Sequence, residues 1–274
     1  VTLIPGISNA DYHGDRTSLS CSGAKLLLKS PAKFKHQQQH PVFKDVFDFG
    51  TVAHTLVLGE GDDIAVIDAA DWRTKAAKEQ RDQARAEGRT PILVGDYQQC
   101  EQMAAAINDH DTARQLLAAG VAEQSGYWQD EPTDIRLRFR PDWMTDLDGR
   151  TLCVDYKTCA SADTDEFMRA AAKFGYDIQF AWYVTGLLAL GVDNPGLLFV
   201  AQEKEAPYLV NVIELPVEAF TAGASKMRRA VDLYAHCTET DTWPGYGHGI
   251  NTGTWPAWAN DHQPTINDLL ETAV

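Results

Sequence analysis

The chain has 274 residues, 44% of them hydrophobic, with 24 basic and 39 acidic side chains and a net charge of −15. That is enough apolar material for one large α/β core, but no run of about twenty apolar residues exists to span a bilayer, and Val1-Thr2-Leu3-Ile4-Pro5 lacks the charged start and long apolar stretch of a signal peptide. A cytoplasmic protein is expected, its missing initiator methionine suggests that residues upstream of Val1 have been removed, and so acidic a chain is not an ordinary basic nucleic-acid module.

In chain order, the first part, about residues 1–120, reads as helical. A helix begins near Gly23, capped by Ser20 or Ser22, and runs through Ala24 and Leu28 to Ser30-Pro31. A short apolar helix over Phe49 to Leu56 carries His54. Residues 71–89 are dense in Lys, Arg, Gln, Ala and Glu, which predicts a solvated helix or an excursion before Pro91. Helical periodicity returns over 96–119. The part from about 121 to 236 reads as a core. Arg136 to Arg140 and Thr151 to Asp155 are β-rich runs, predicted to pair as a hairpin around a turn through Asp146, Asp148 and Gly149. A helix over 170–190 follows, then strands at Leu197 to Ala201 and Tyr208 to Ile213 joined through Glu203-Lys204-Glu205, then a helix over 217–235. The tail, 237–274, is aromatic and irregular. Its Trp243, Tyr246, Trp255 and Trp258 either bury against the body or form a subunit contact. A single domain, 1–274, accommodates all of this.

Chemistry concentrates in Pro141-Asp142 and Asp155-Tyr156-Lys157. Side chains two apart on a strand share a face, so Asp155 and Lys157 point one way and Tyr156 the other, with Asp142 at the end of the partner strand. Two carboxylates and an amine then converge. A hard Mg²⁺ or Mn²⁺ takes oxygen ligands, commonly only one or two protein carboxylates, and leaves the rest to water and phosphate. Lys157 suits holding an attacking water or a developing negative charge. Asp-x-Lys is a common triplet, and the same residues also fit a surface hairpin with scattered charges.

Charge is unevenly distributed. Six basic residues (Arg16, Lys25, Lys29, Lys33, Lys35 and Lys44) and no acidic one fall between positions 16 and 44, with His36 and His40 among them, and no lysine or arginine follows Arg229. Either a positive wall for phosphate or a solvated helix face would read this way. Cys21, Cys100, Cys153, Cys159 and Cys237 are an odd set without Cys-x-x-Cys spacing, which argues against a disulfide framework and a zinc site.

Taken together, four stretches resemble the PD-(D/E)xK nuclease superfamily, in the branch of RecB-type domains, λ exonuclease and above all RecE. They are Ser18 to Ser22 leading into Ala24 to Leu28 and Ser30-Pro31; Phe49-Gly50-Thr51-Val52-Ala53-His54-Thr55-Leu56; the Asp142, Asp155 and Lys157 core; and Tyr176 to Tyr183, which is similar to the Gln-x-x-x-Tyr motif at Gln179 and Tyr183. The resemblance spans roughly residues 7 to 247. It implies a restriction-endonuclease-like fold with a central mixed β-sheet flanked by helices. It makes His54, by itself as readily a packed histidine, a third metal ligand beside Asp142 and Asp155, with the Tyr156 carbonyl as another. Imidazole is softer than ideal for Mg²⁺, which suits tolerance of Mn²⁺. Gln179 and Tyr183, four apart on one helix face, would face the site and touch DNA or orient the lysine, and Glu123 resembles a helper carboxylate.

The same resemblance implies an exonuclease on linear double-stranded DNA, degrading one strand 5′ to 3′ to mononucleotides and leaving 3′ single-stranded tails. It further implies a ring-shaped oligomer, a RecT-like annealing partner and a phage recombination setting. Ser20, Ser22 and Lys25 would hold a 5′-phosphate as λ exonuclease does, at a helix N-terminus that offers free amides; simple capping explains them equally. Cas4-like relatives hold an iron–sulfur cluster with four cysteines, mostly late in the chain; only Cys237 is late here, so no cluster is expected. A Cas4-like or RecB-like nuclease acting on single-stranded or flap DNA fits the same core, as does a non-catalytic DNA-end-binding protein.

Overall fold

The computed structural model describes residues 2–40, 45–247 and 249–256; Lys44 of the basic run and Trp258 of the tail lie outside them. In chain order the elements are β1 (Thr2–Ile4), α1 (Asn9–Gly14), β2 (Leu19–Ser20), α2 (Cys21–Lys29), α3 (Pro31–Gln39), α4 (Asp45–Leu58), β3 (Ile64–Ile67), α5 (Lys75–Ala86), β4 (Thr90–Leu93), α6 (Val94–Asp109) and α7 (Asp111–Leu117). The second half adds β5 (Val121–Ala122), β6 (Ser125–Asp130), β7 (Ile135–Phe139), β8 (Trp143–Leu147), β9 (Arg150–Cys159), α8 (Thr164–Phe174), α9 (Tyr176–Ala189), β10 (Gly196–Glu203), β11 (Val210–Glu214) and α10 (Val217–Thr240).

The main sheet has five strands in the order β11-β10-β9-β8-β5. Its β9–β10 pair is parallel and its other pairs are antiparallel, giving the expected mixed sheet. A second sheet, β1-β6-β7-β2, and a parallel pair, β3–β4, complete the β-structure among the described residues. Alternation along β9 divides the core. Leu152, Val154 and Tyr156 pack with Val52, Cys100 and Leu116 from the helices of one layer, while Cys153 on the opposite face packs with Phe199, Ala201 and Trp182. Asp155 and Lys157 lie on the Cys153 side by the period of two.

Several expectations are corrected. The hairpin partner of β9 is Trp143–Leu147, with Trp143 opposite Val154 and Leu147 opposite Arg150. The run around Arg136 to Arg140 instead pairs with β6 in the second sheet. The reason is the two-residue turn Asp148-Gly149, at φ 53° and 78°, the left-handed pair of a type I′ hairpin, which leaves no room for an intervening segment. The helical first part also contains β1 to β4, strands of two to four residues; β1 and β2 pair with β6 and β7 far along the chain, and β3 and β4 pair with each other. The helix predicted over 170–190 is two helices, broken at Gly175 with φ 69°, and that predicted over 96–119 breaks at His110. The tail begins later than expected, since α10 runs to Thr240 and buries Cys237. Residues 75–86 form a helix that buries Ala77 and Ala84.

Helix α9 is the element that joins the two sheets to the site. Trp182 Nε1 donates to the Arg138 carbonyl at 2.9 Å and the Tyr183 hydroxyl donates to the Arg140 carbonyl at 2.8 Å. Residues 179, 182 and 183 share a helix face, so the same two bonds aim Gln179 at β9. On its far side α9 meets α10 at close range: a methyl at Gly223 would lie 1.9 Å from the Asp177 carbonyl oxygen, beside an ion pair between Lys226 and Asp177. No helix among the described residues is long and apolar enough to cross a membrane.

Gly223→Ala must therefore push α10 off α9. The expected loss is about 1–3 kcal/mol of stability, read by urea unfolding; an unchanged midpoint would show that the helices separate freely.

Candidate active site

Asp142 does not enter β8. It stands just before Trp143, and if the β8–β9 ladder ran one step further it would oppose Asp155. Its side chain instead takes the backbone position: Asp142 Oδ2 accepts from the Tyr156 N–H at 2.9 Å, and the other oxygen contacts His54 Nε2 of α4 at 3.2 Å. Proline at 141 and the hydrogen bond from Glu123 N–H to the Asp142 carbonyl, 3.1 Å, hold this short link between the sheets.

Asp155 is 1% exposed. Its Oδ1 accepts from Gln179 Nε2, and its Oδ2 forms an ion pair with the Lys157 ammonium. No hydrogen-bond donor is aligned on that Oδ2 among the described residues. Burial, then the neighbouring Asp142 charge, push the Asp155 carboxyl above the usual carboxylate range. Burial acts in the same direction on Asp142, but the His54 imidazole, the Lys157 charge and the Tyr156 N–H outweigh it and hold Asp142 low. Two close carboxylates are thus driven apart in proton affinity, which is common where acid–base chemistry is done. Burial disfavours the charged forms of Lys157 and His54; the carboxylates beside them more than offset this and raise both.

One cavity of about 420 Å³ is lined by Asp142, Asp155, Lys157, Glu123, Gln179, Tyr183, Ser20, Ser22 and Lys25, so the fold brings together nine of the candidate residues. The other two behave differently. His54 reaches the cluster through Asp142, and the Tyr156 side chain turns away, its hydroxyl donating to Gln202 at 2.6 Å in the opposite core. Glu123 has a left-handed backbone, φ 46°; burial raises its carboxyl, and Arg140 lies 3.6 Å away. Tyr183 reaches the backbone of Arg140 rather than either carboxylate. Ser20 caps α2, accepting from Gly23 N–H at 3.2 Å, with Ser22 Oγ 3.2 Å from it.

Three residues escaped sequence reasoning. Tyr176 lies beneath both ammonium groups, 5.2 Å from Lys157 and 5.4 Å from Lys25, with its ring stacked on Phe199. Its signal was its position three before Gln179, hence on the same face of α9. Lys25 also donates to Gln179 Oε1 at 3.4 Å, so Gln179 links it to Asp155. Arg140 donates to Asn9, Ile7 and Ser125 and, like Tyr12, walls the cavity. Its place immediately before Pro141 was the available sign.

No group of three or more His, Cys, Asp or Glu side chains among the described residues is gathered as an all-protein metal cage. The donors nevertheless fit a hard divalent cation: two carboxylates, one with a buried oxygen lacking an aligned donor, open to a cavity with room for water and phosphate. Calorimetry with Mn²⁺ checks this fit. Asp142→Asn with Asp155→Asn is expected to weaken binding by at least about tenfold (~1.4 kcal/mol); equal affinity would place the cation elsewhere.

The model of a PDDEXK-like domain of unknown function (DUF3799) matches residues 20–252. No curated protein matches the chain. Among solved structures, a "Putative exonuclease" from Eubacterium rectale is similar at 14% identity and a TM-score of 0.57, over 83% of this chain and 86% of that one. A "phage related exonuclease" from Haemophilus somnus 129PT is similar at 15% identity and a TM-score of 0.34, over 82% and 96%. At 14% identity, the likeness to the first is one of fold.

Proposed function

Because the chain belongs to the PDDEXK-like DUF3799 family, and so to the PD-(D/E)xK nuclease superfamily, we propose that it is a divalent-metal-dependent exodeoxyribonuclease acting on linear duplex DNA. The observation that carries the reading is the meeting of Asp142, Asp155 and Lys157 in one cavity, with Asp155 buried between an ammonium and an amide. Asp142 and Asp155, with His54 and the Tyr156 carbonyl as further donors, would hold one or two Mg²⁺ ions, with Mn²⁺ a substitute; the bound metal would supply Lewis-acid polarisation of the phosphate and make a bound water more acidic.

The chain's own residues then have separate tasks. The Tyr156 N–H and His54 fix Asp142, and Gln179 fixes Asp155, so both carboxylates are set before substrate arrives. Lys157 stays protonated beside them and is placed to hold the attacking water or to meet the charge that grows on the phosphate. Tyr176, packed on Phe199, gives Lys157 and Lys25 a fixed aromatic surface. Ser20, Ser22 and Lys25 form the polar end of the cavity and would take a terminal 5′-phosphate. The exonuclease in the description of the Eubacterium rectale structure supports the end-directed reading. Resemblance to RecE extends it to 5′ to 3′ polarity, mononucleotide products, 3′ tails, a ring-shaped oligomer and a RecT-like annealing partner.

The test is Mg²⁺-dependent digestion of end-labelled linear duplexes that differ only in their 5′-phosphate. Mononucleotides from the phosphorylated 5′ strand are expected, with Lys157→Ala slower by about 100-fold or more. Digestion confined to single strands or flaps would favour the Cas4-like or RecB-like alternative. No digestion, with retained DNA-end binding, would favour a non-catalytic role. Lys25→Ala should erase the preference for phosphorylated ends while leaving the rate on hydroxyl ends within about threefold, since one charge-assisted contact contributes about 1.5–3 kcal/mol; a retained preference would return Ser20 and Lys25 to capping and packing.

A further inference from the structure

The carboxylate-free run folds into α2 and α3, and its cations continue past the catalytic cavity. Ser22, Lys25 and Lys29 fall at i, i+3 and i+7 on α2, one stripe of its surface. The first two line the cavity, and Lys29 is exposed beyond it. On α3 and its C-cap the exposed residues Lys33, His36 and His40 repeat that spacing, the two imidazoles stacking at 4.4 Å. Lys33, His36 and Gln37, with Leu26 and Ala32, line a second, open groove of about 430 Å³. Lys25 and Leu26 are sequence neighbours that line one cavity each, so α2 borders both the site and the groove.

The chain's aromatic tail lies across this surface. Ala32 N–H donates to the Pro244 carbonyl at 3.1 Å, and Trp243 stacks on Phe34 at 5.7 Å. The Lys35 ammonium sits 4.7 Å above the Trp243 ring, and Lys33 sits 5.5 Å from the Tyr246 ring. Trp243 is thus partly buried against the body, whereas Tyr246 is 76% exposed. Lys35 pairs with Asp241 at 3.6 Å, but Lys29 and Lys33 have no acidic partner among the described residues. In a chain carrying 39 carboxylates, two consecutive helices that contribute none of their own fit a polyanion, the Asp241 carboxylate at their edge being paired with Lys35.

We propose that the α2–α3 face, with Trp243 and Tyr246 at its edge, carries a single-stranded segment of nucleic acid that runs to or from the catalytic cavity. The proposal rests on the nuclease reading above. Lys29 and Lys33 meet the phosphates, and the Tyr246 ring, with His36 beside the groove, meets unstacked bases. A duplex offers a flat protein surface mainly phosphates and sugars, so exposed rings interleaved with lysines gain little from it; an unpaired strand uses both.

Anisotropy with a fluorescent oligothymidylate of about twenty nucleotides, and with a duplex of the same length, tests this in the presence of EDTA. The double substitution Lys29→Gln with Lys33→Gln is expected to weaken single-strand binding by about tenfold or more and to flatten its salt dependence by about 1.4 in the log–log slope, about 0.7 per lysine. Tyr246→Ala should weaken single-strand binding by about tenfold and duplex binding by less than about twofold, and Tyr246→Phe should restore it. Lys75→Gln, on exposed α5, is the control. Wild-type affinity in both sets of variants would overturn the proposal, as would an equal loss on duplex in Tyr246→Ala. Cleavage of bis(p-nitrophenyl) phosphate with Mn²⁺, a substrate too small to reach α3, separates the failures. Wild-type cleavage with unaltered oligonucleotide affinities in the variants overturns this proposal alone. Wild-type protein that neither cleaves nor binds overturns it together with the nuclease reading.

Discussion

A carboxylate buried to 1% exposure in the middle of a sheet is the constraint around which the candidate site is organised. Isolated, such a charge would be expelled or neutralised. Here Asp155 is retained because its strand neighbour Lys157 brings a counter-charge and Gln179 brings an amide. The neighbouring Asp142 increases the repulsion, and is itself balanced by His54 and by the Tyr156 N–H. The cluster is therefore stable only when β9, α4 and α9 are all in place, which ties its geometry to the packing of both cores.

The connection between β7 and β8 follows from the same requirement. The chain leaves one sheet at Phe139 and enters the other at Trp143, and the three residues between are fixed from both sides. Arg140 is held by Asn9, Ile7 and Ser125, and its carbonyl by Tyr183. Asp142 is held through both its side chain and its backbone. Helix α9 supplies Gln179 and Tyr183 from one face, so one element holds Asp155 directly and the Arg140 carbonyl two residues before Asp142. Its opposite face meets α10 with no spare space at Gly223.

How much of this was legible in the sequence depended on range. Period-two alternation was enough to put Asp155 and Lys157 on one face and Tyr156 on the other, because that depends on neighbours in the same strand. The Ser20 cap and the Gln179-x-x-x-Tyr183 face were local in the same way. Strand pairing was not. The decisive sign, an Asp-Gly pair at 148–149 that allows only a two-residue turn, stands beside Asp146 in a stretch that fits a broader turn equally well, so sequence favours 136–140 over 143–147 as the partner of β9. The short strands β1 and β2 carry too few residues to show a pattern, and they form only because β6 and β7 offer edges. A single glycine at 175 inside an otherwise helical stretch does not by itself mark a break, so the N-terminus of α9, and with it the position of Tyr176 beneath two lysines, is set by the fold. The unevenness of charge was visible in the sequence, but that Lys25 lines the cavity while Lys33 and His36 line a separate groove required the fold.

Asp142 and Asp155 are proposed to hold a divalent cation jointly against a phosphodiester within reach of Lys157. Anomalous diffraction from crystals grown with Mn²⁺ and a short 5′-phosphorylated DNA end would test it most directly. Manganese is expected between the two carboxylates, with a backbone phosphate bound to it and Lys157 beside that phosphate. Manganese bound elsewhere, or DNA seated with its phosphates away from Asp142 and Asp155, would contradict it.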